Sequence, residues 1–262
     1  MDIDASIITT TVAIFSSKEL LQKILGPSAD YIGGEIKSLV EKCNKNLNNI
    51  FSNAHRKIGN RINDNGQVSP RVLKHIIDDG KFCENEILTE YYGGILASAR
   101  TSIDRDDRAI PMLDLIKSMS VYQLRLHYLF YYSVFNLFKD NPINLGIEPD
   151  IHILISLKDY DNAMDFSSDE NKNSILLHSI MGLRRLGLIG NYCAVGSDSD
   201  NTECLFPLPK NGMIMIPTVL GAEMFLYALG FQNVSGVDLV NGKIKNLPDP
   251  IIENLPKAKK VQ

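Results

Sequence analysis

The densest group of potentially reactive side chains in the 262-residue chain is Asp104-Arg105-Asp106-Asp107-Arg108, whose carboxylates could hold a divalent ion for phosphoryl transfer. The same spacing suits a solvated loop feeding a helix N-terminus, where the dipole favours acids, and that reading is preferred. Glu84, Glu86 and Glu90 form a second acidic group; Glu86 and Glu90 share a helical face, with no His or Lys partner identifiable in the sequence. The histidines, His55, His75, His127, His152 and His178, are scattered and make neither H-E-x-x-H nor H-x-x-x-H. Cys193 and Cys204, with His178 nearby, could approach as zinc ligands across a hairpin, although two semi-buried thiols on facing strands account for them more simply. No G-x-x-x-x-G-K-S/T, no G-x-G-x-x-G between a strand and a helix and no G-x-S-x-G elbow occurs. These readings name no catalytic residue, no metal site and no cofactor, and the expectation is a protein that is not an enzyme.

Charge bears next on nucleic acid. Lys plus Arg is 27 against 31 Asp plus Glu, a formal net charge of −4, which argues against non-specific coating of nucleic acid. Between Tyr31 and His75, eight bases face Glu35, Glu41 and Asp64, a local balance of about +5 that a solvated helix face explains. Arg184, Arg185 and Lys210 are the candidate nucleic-acid or partner contacts. From Ser174 to Gly230 they are the only bases, against Asp198, Asp200, Glu203 and Glu223, an undersupply for groove binding that favours a protein-facing or dimerising role.

The elements that must position these residues follow from periodicity. Helical spacing is expected over Lys18–Leu25, then from Ser28 to about Ile62, where Ile50, Phe51, Ala54 and Ile58 belong to one apolar stripe. Ser69-Pro70 opens a helix with Val72, Leu73, Ile76 and Ile77 inside. Another helix covers Glu84 to about Ser102, and its Gly93-Gly94 pair calls for a close helix crossing. Pro111 starts a helix through Lys117, and Ser120 with Gln123 forms a capping box for an aromatic helix ending near Phe138.

Residues 1–140 therefore read as an all-α domain and 141–170 as a connector, in which Ile151–Leu157 suits a short helix or a strand. Residues 171–262 read as a winged-helix-like module: helix Asn171–Leu186, strand, polar loop Gly196–Glu203, strand Met213–Ile216 and helix Thr218–Leu229. Asn241-Gly242 suits a hairpin turn, and the lysine-rich tail is expected to fray. The class is mostly α, α+β overall, with a small β-hairpin. Gly212–Phe231 is long enough to span a bilayer, but Pro217-Thr218 favours strand, turn and helix; Arg125 and His127 make Val121–Phe138 a buried helix. The acidic start, Met1-Asp2-Ile3-Asp4, and cysteines without C-x-x-C pairing suggest a cytoplasmic protein with reduced thiols and no membrane role.

From about Leu20 to Phe138 the chain resembles the abortive-infection alpha (Abi-alpha) family of bacterial phage-defence proteins. The resemblance is carried by the leader ending in Gly26-Pro27, the long amphipathic helix, Val68-Ser69-Pro70, "ENEILTEYYGGILASA" and "IPMLDLIKSMSVYQLRLHYLF". It implies abortive infection against phage through protein–protein contacts, with a protein partner or self-association, and brings no catalytic residue. A winged-helix regulator of nucleic acid and a membrane-acting effector using Ala5–Phe15 or Gly212–Phe231 are the alternatives.

Overall fold

The computed structural model describes residues 45–103, 105–147, 151–196 and 209–261. The expected Lys18–Leu25 helix, the first part of the long helix, Ala5–Phe15, Asp104, Cys43, Cys204 and all of the expected polar loop after Gly196 lie outside these residues. Two compact units divide the chain. One runs to Ser118 and includes Tyr227–Asn233; the other comprises Met119–Leu226 and Val234 onward. The expected boundary near residue 140 thus differs from the division by contacts, which falls before the aromatic helix.

In the first unit, α1 (Lys45–Ile58) buries Leu47, Ile50, Phe51, Ala54 and Ile58, the stripe expected from three- and four-residue steps. It ends earlier than expected: Gly59 turns to φ +53° and a 3-10 segment, Gly59–Asn63, follows. Pro70 begins α2 (Pro70–Gly80), which buries Val72, Leu73, Ile76 and Ile77. The Asn85 side chain caps α3 (Glu86–Ala99) by accepting from Ile87 N at 3.0 Å. A short helix, α4 (Ala109–Lys117), follows, with Pro111 inside its first turn.

The glycine pair in α3 does admit close neighbours. A Cβ on Gly93 would stand 2.6 Å from Asn53 Cβ and 2.8 Å from Ile50 O, so α1 crosses there. A Cβ on Gly94 would stand 1.7 Å from Ala228 O. Backbone cannot yield as a flexible side chain can, so position 94 tolerates only glycine.

The second unit is α+β. The capping box at Ser120 is formed: Ser120 Oγ accepts from Gln123 N at 3.3 Å and Gln123 Oε1 accepts from Ser120 N at 2.9 Å. It opens α5 (Val121–Phe138), which buries His127, Tyr128, Phe130, Tyr131 and Phe135. Strand β1 (His152–Ser156) alternates half-buried and buried residues, and α6 (Leu157–Met164) follows at once. Asn171 caps α7 (Lys172–Arg185) through Ser174 N; β2 (Ile189–Gly196), β3 (Gly212–Pro217) and α8 (Val219–Ala228) come next. With β4 (Lys259–Val261), the sheet is antiparallel in the order β2-β3-β1-β4, and Ile153 and Cys193 both lie opposite Met215.

Three expectations are corrected here. The connector holds α6: Tyr160, Ala163 and Met164 are buried at helical spacing despite acidic neighbours, while β1 falls where a short helix or a strand was expected. The tail read as frayed ends in β4 (Lys259–Val261), paired with β1 from His152↔Val261 to Leu154↔Lys259. Asn241-Gly242 joins no hairpin: it follows a 3-10 segment, Gly236–Leu239, and Asn241 Oδ1 accepts from Lys243 N at 3.0 Å. By contrast, Gly212–Phe231 is strand followed by helix, as expected, and among the described residues no helix is long and apolar enough to cross a membrane.

Gly94→Ala is expected to destabilise the protein by about 2–3 kcal/mol in urea denaturation. Lys74→Ala, which removes an exposed pair with Asp78, serves as a control and is expected to cost less than ~0.5 kcal/mol.

Candidate functional site

Asp106 pairs with Arg108 at 2.7 Å and Asp107 with Arg71 at 2.7 Å, so these carboxylates of the acidic loop are engaged by guanidinium groups. The Arg108 hydrogen bonds hold the Asp106 carboxyl below its usual range. Among the described residues no cluster of three or more His, Cys, Asp or Glu is placed to hold a metal ion. His178 Nε2 is 3.2 Å from Ser120 Oγ, at the start of α5, and the zinc reading with Cys193 rests on Cys204, which lies outside the described residues. Ser120 Oγ also caps α5 by accepting from Gln123 N, and among the described residues no acid hydrogen-bonds the His178 ring.

Much of the basic character of the long helix is spent inside the first unit. Lys57 Nζ donates to Glu90 O and to Ala228 O, both at 2.8 Å, and lies 2.7 Å from Glu90 Oε2. Burial lowers the Lys57 ammonium to about 8, with Glu90 opposing the shift. Arg56 completes the ion pair with Glu90 from the solvent side. Arg61 Nη2 donates to Gly230 O at 2.9 Å, and the buried Arg100 reaches Arg61 O and Asp64 O, both at 2.8 Å. Glu90 therefore has the basic partner that the sequence left unnamed. The signal was Lys57 itself, three residues beyond Ala54 on the inward stripe.

In the second unit, His127 is fully buried and its Nε2–H donates to Gly221 O at 3.1 Å. Burial drives its imidazole down to about 3, against the opposing pull of that hydrogen bond. Tyr131 packs beside it at 4.8 Å between ring centroids; its hydroxyl donates to Leu188 O at 2.6 Å and accepts from Thr218 N at 2.9 Å. Both residues join α5 to the chain around β2 and α8, and neither faces solvent. Cys83 is likewise a packing group: burial, then Asp79, raises its thiol to about 11.

The outward face of α7 is different. Arg184 and Arg185 lie in its last turn, exposed, and neither forms an ion pair among the described residues. Lys210 is exposed as well, but the three candidates do not converge. Ile189 pairs with Pro217 and Gly196 with Gly212, so Arg185 precedes one end of the hairpin and Lys210 borders the other. At ~3.3 Å per residue, β2 separates those ends by about 23 Å. The same α7 face exposes Leu177 and Met181 at 51% and 47%. Sequence reasoning passed over both, although they fall off the inward stripe of Leu176, Ile180 and Leu183. No protein-family model, curated protein or solved structure matches the chain.

Lys57→Ala is expected to cost about 3–5 kcal/mol in urea denaturation, because it strands Glu90 in the interior. Arg56→Ala, at a side chain 55% exposed, is expected to cost below ~1 kcal/mol. For His127 the ordinary value is 6.5 and the folded value about 3. Between these pH values the unfolded chain takes up a proton that the folded chain refuses, so this site makes stability fall as pH falls, by up to ~1.4 kcal/mol per pH unit. His127→Gln, which keeps an N–H for Gly221 O, is expected to flatten that slope in denaturant titrations from about pH 6.5 downward.

Proposed function

We propose that the chain is a non-enzymatic bacterial defence protein of the Abi-alpha type, acting in abortive infection through protein contacts made by a winged-helix module. The observation that carries the module is the order α5, β1, α6, α7, β2, β3, with β3 lying between β2 and β1 in the sheet. That is the helix, strand, helix, helix, strand, strand sequence of a winged helix, with α7 in the position of its third helix. The defence role draws on the resemblance over Leu20–Phe138, and α2, α3, α4 and α5 occupy the segments that carry it.

Protein contact is favoured over nucleic acid by how the bases are spent. Lys57, Arg61 and Arg100 bind internal carbonyls, Lys172 lies 3.4 Å from Asp161, and Arg185 and Lys210 lie at opposite ends of the β2–β3 hairpin. These six therefore do not line up as a run for phosphates, on which groove affinity depends.

The test is efficiency of plating and growth curves for a panel of phages on a heterologous bacterium expressing the chain. Reduced plating with collapse of infected cultures is expected. Unchanged plating and growth across the panel would sink the defence reading.

A further inference from the structure

We infer that the outward face of α7, Leu177 and Met181 with Arg184 and Arg185 at its C-terminal end, docks an acidic amphipathic helix of a partner protein. The inference rests on the protein-contact reading above and adds a surface and a chemistry to it.

Leu177 and Met181 are four residues apart and stack on one face, with about half of each side chain in water. The helix already buries Leu176, Ile180 and Leu183, so these two are surplus to the core. Just past the end of α7, Leu220 is 38% exposed and its Cδ2 would stand 3.8 Å from a Cβ on Gly187. Two aliphatic anchors one turn apart suit an amphipathic helix that reads with residues spaced i, i+3, i+4 and i+7.

Charge selects among occupants. No acid occurs from Lys172 to Arg185, Lys172 is engaged by Asp161, and the exposed cations on this face are Arg184 and Arg185. Bases in a last turn suit the helix dipole, but that alone leaves the aliphatic pair beside them unexplained. A second copy presenting this face would add cations and no carboxylate. DNA would set phosphates against Leu177 and Met181, which offer them no hydrogen bond. A helix with leucines along its centre and glutamates near the arginines satisfies both halves of the face.

The probes are two synthetic peptides of about five helical turns. They share one amphipathic leucine pattern and carry either glutamates or lysines on the polar positions. Fluorescence anisotropy with the full chain is expected to show the glutamate peptide binding at least ~10-fold more tightly, a difference of about 1.4 kcal/mol. Leu177→Asp with Met181→Asp is expected to abolish binding. Arg184→Glu with Arg185→Glu is expected to reverse the preference, which misfolding would not do. Equal binding of both peptides, or unchanged binding by both double variants, would overturn the inference. So would a duplex DNA that binds and is lost in the arginine variant, or a dimer in sedimentation that Leu177→Asp with Met181→Asp dissolves without any peptide binding. The peptide titration decides this inference and phage plating by the unaltered chain decides the defence reading, so either can fail alone.

Discussion

Main-chain carbonyls need donors, and in both units side chains projecting from helices supply them to distant chain, the end of α8 and irregular stretches alike. In the first unit, Lys57 on α1 serves Ala228 O, Arg61 serves Gly230 O and Ser98 on α3 serves Tyr227 O. In the second, Tyr131, Tyr132 and Ser133 on α5 serve Leu188 O, Pro248 O and Pro256 O. Each bond contributes only about 1 kcal/mol net, but an unmet buried carbonyl costs more, so the donors fix where the returning chain can lie. The polar face of an amphipathic helix therefore has structural work besides solvation.

That use of charge alters what the basic helix means. Read as a sequence, a local excess of about +5 invites a search for an anionic partner. Folded, Lys57 and Arg61 are bound to carbonyls and Glu90, so part of that excess is used within the fold. Function is consequently sought where a surface is unexplained by the fold. Scattered exposed residues such as Phe82 and Ile147 are ordinary, whereas Leu177 and Met181 repeat on one helix face beside paired arginines.

Local signals were legible because their physics is local. The Ser120–Gln123 box, the apolar faces of α1 and α2, the glycine pair of α3 and the proline between β3 and α8 each act over one or two turns. What escaped was set at a distance. Strand β4 has no apolar alternation, since Lys259 and Lys260 gain their place from pairing with β1. Helix α6 was hidden by Asp159 and Asp161, although its inward triad was present. The assignment of Tyr227–Asn233 to the first unit depends on the approach of Ala228 to Gly94, which no spacing within either segment encodes. At the candidate site, Arg184 and Arg185 were visible as charges, whereas the importance of Leu177 and Met181 required knowing which side of α7 meets solvent.

The membership of Tyr227–Asn233 in the first unit has a consequence for the ribosome. Chain emerging from the tunnel can form α1 to α4 early, yet the segment that Lys57, Ser98 and Arg61 hold arrives more than a hundred residues later. The second unit waits longer still, because β1 at residues 152–156 pairs with β4 at 259–261. Neither unit can be completed in order of synthesis. Contacts so far apart in sequence slow folding and leave apolar helix faces uncovered meanwhile.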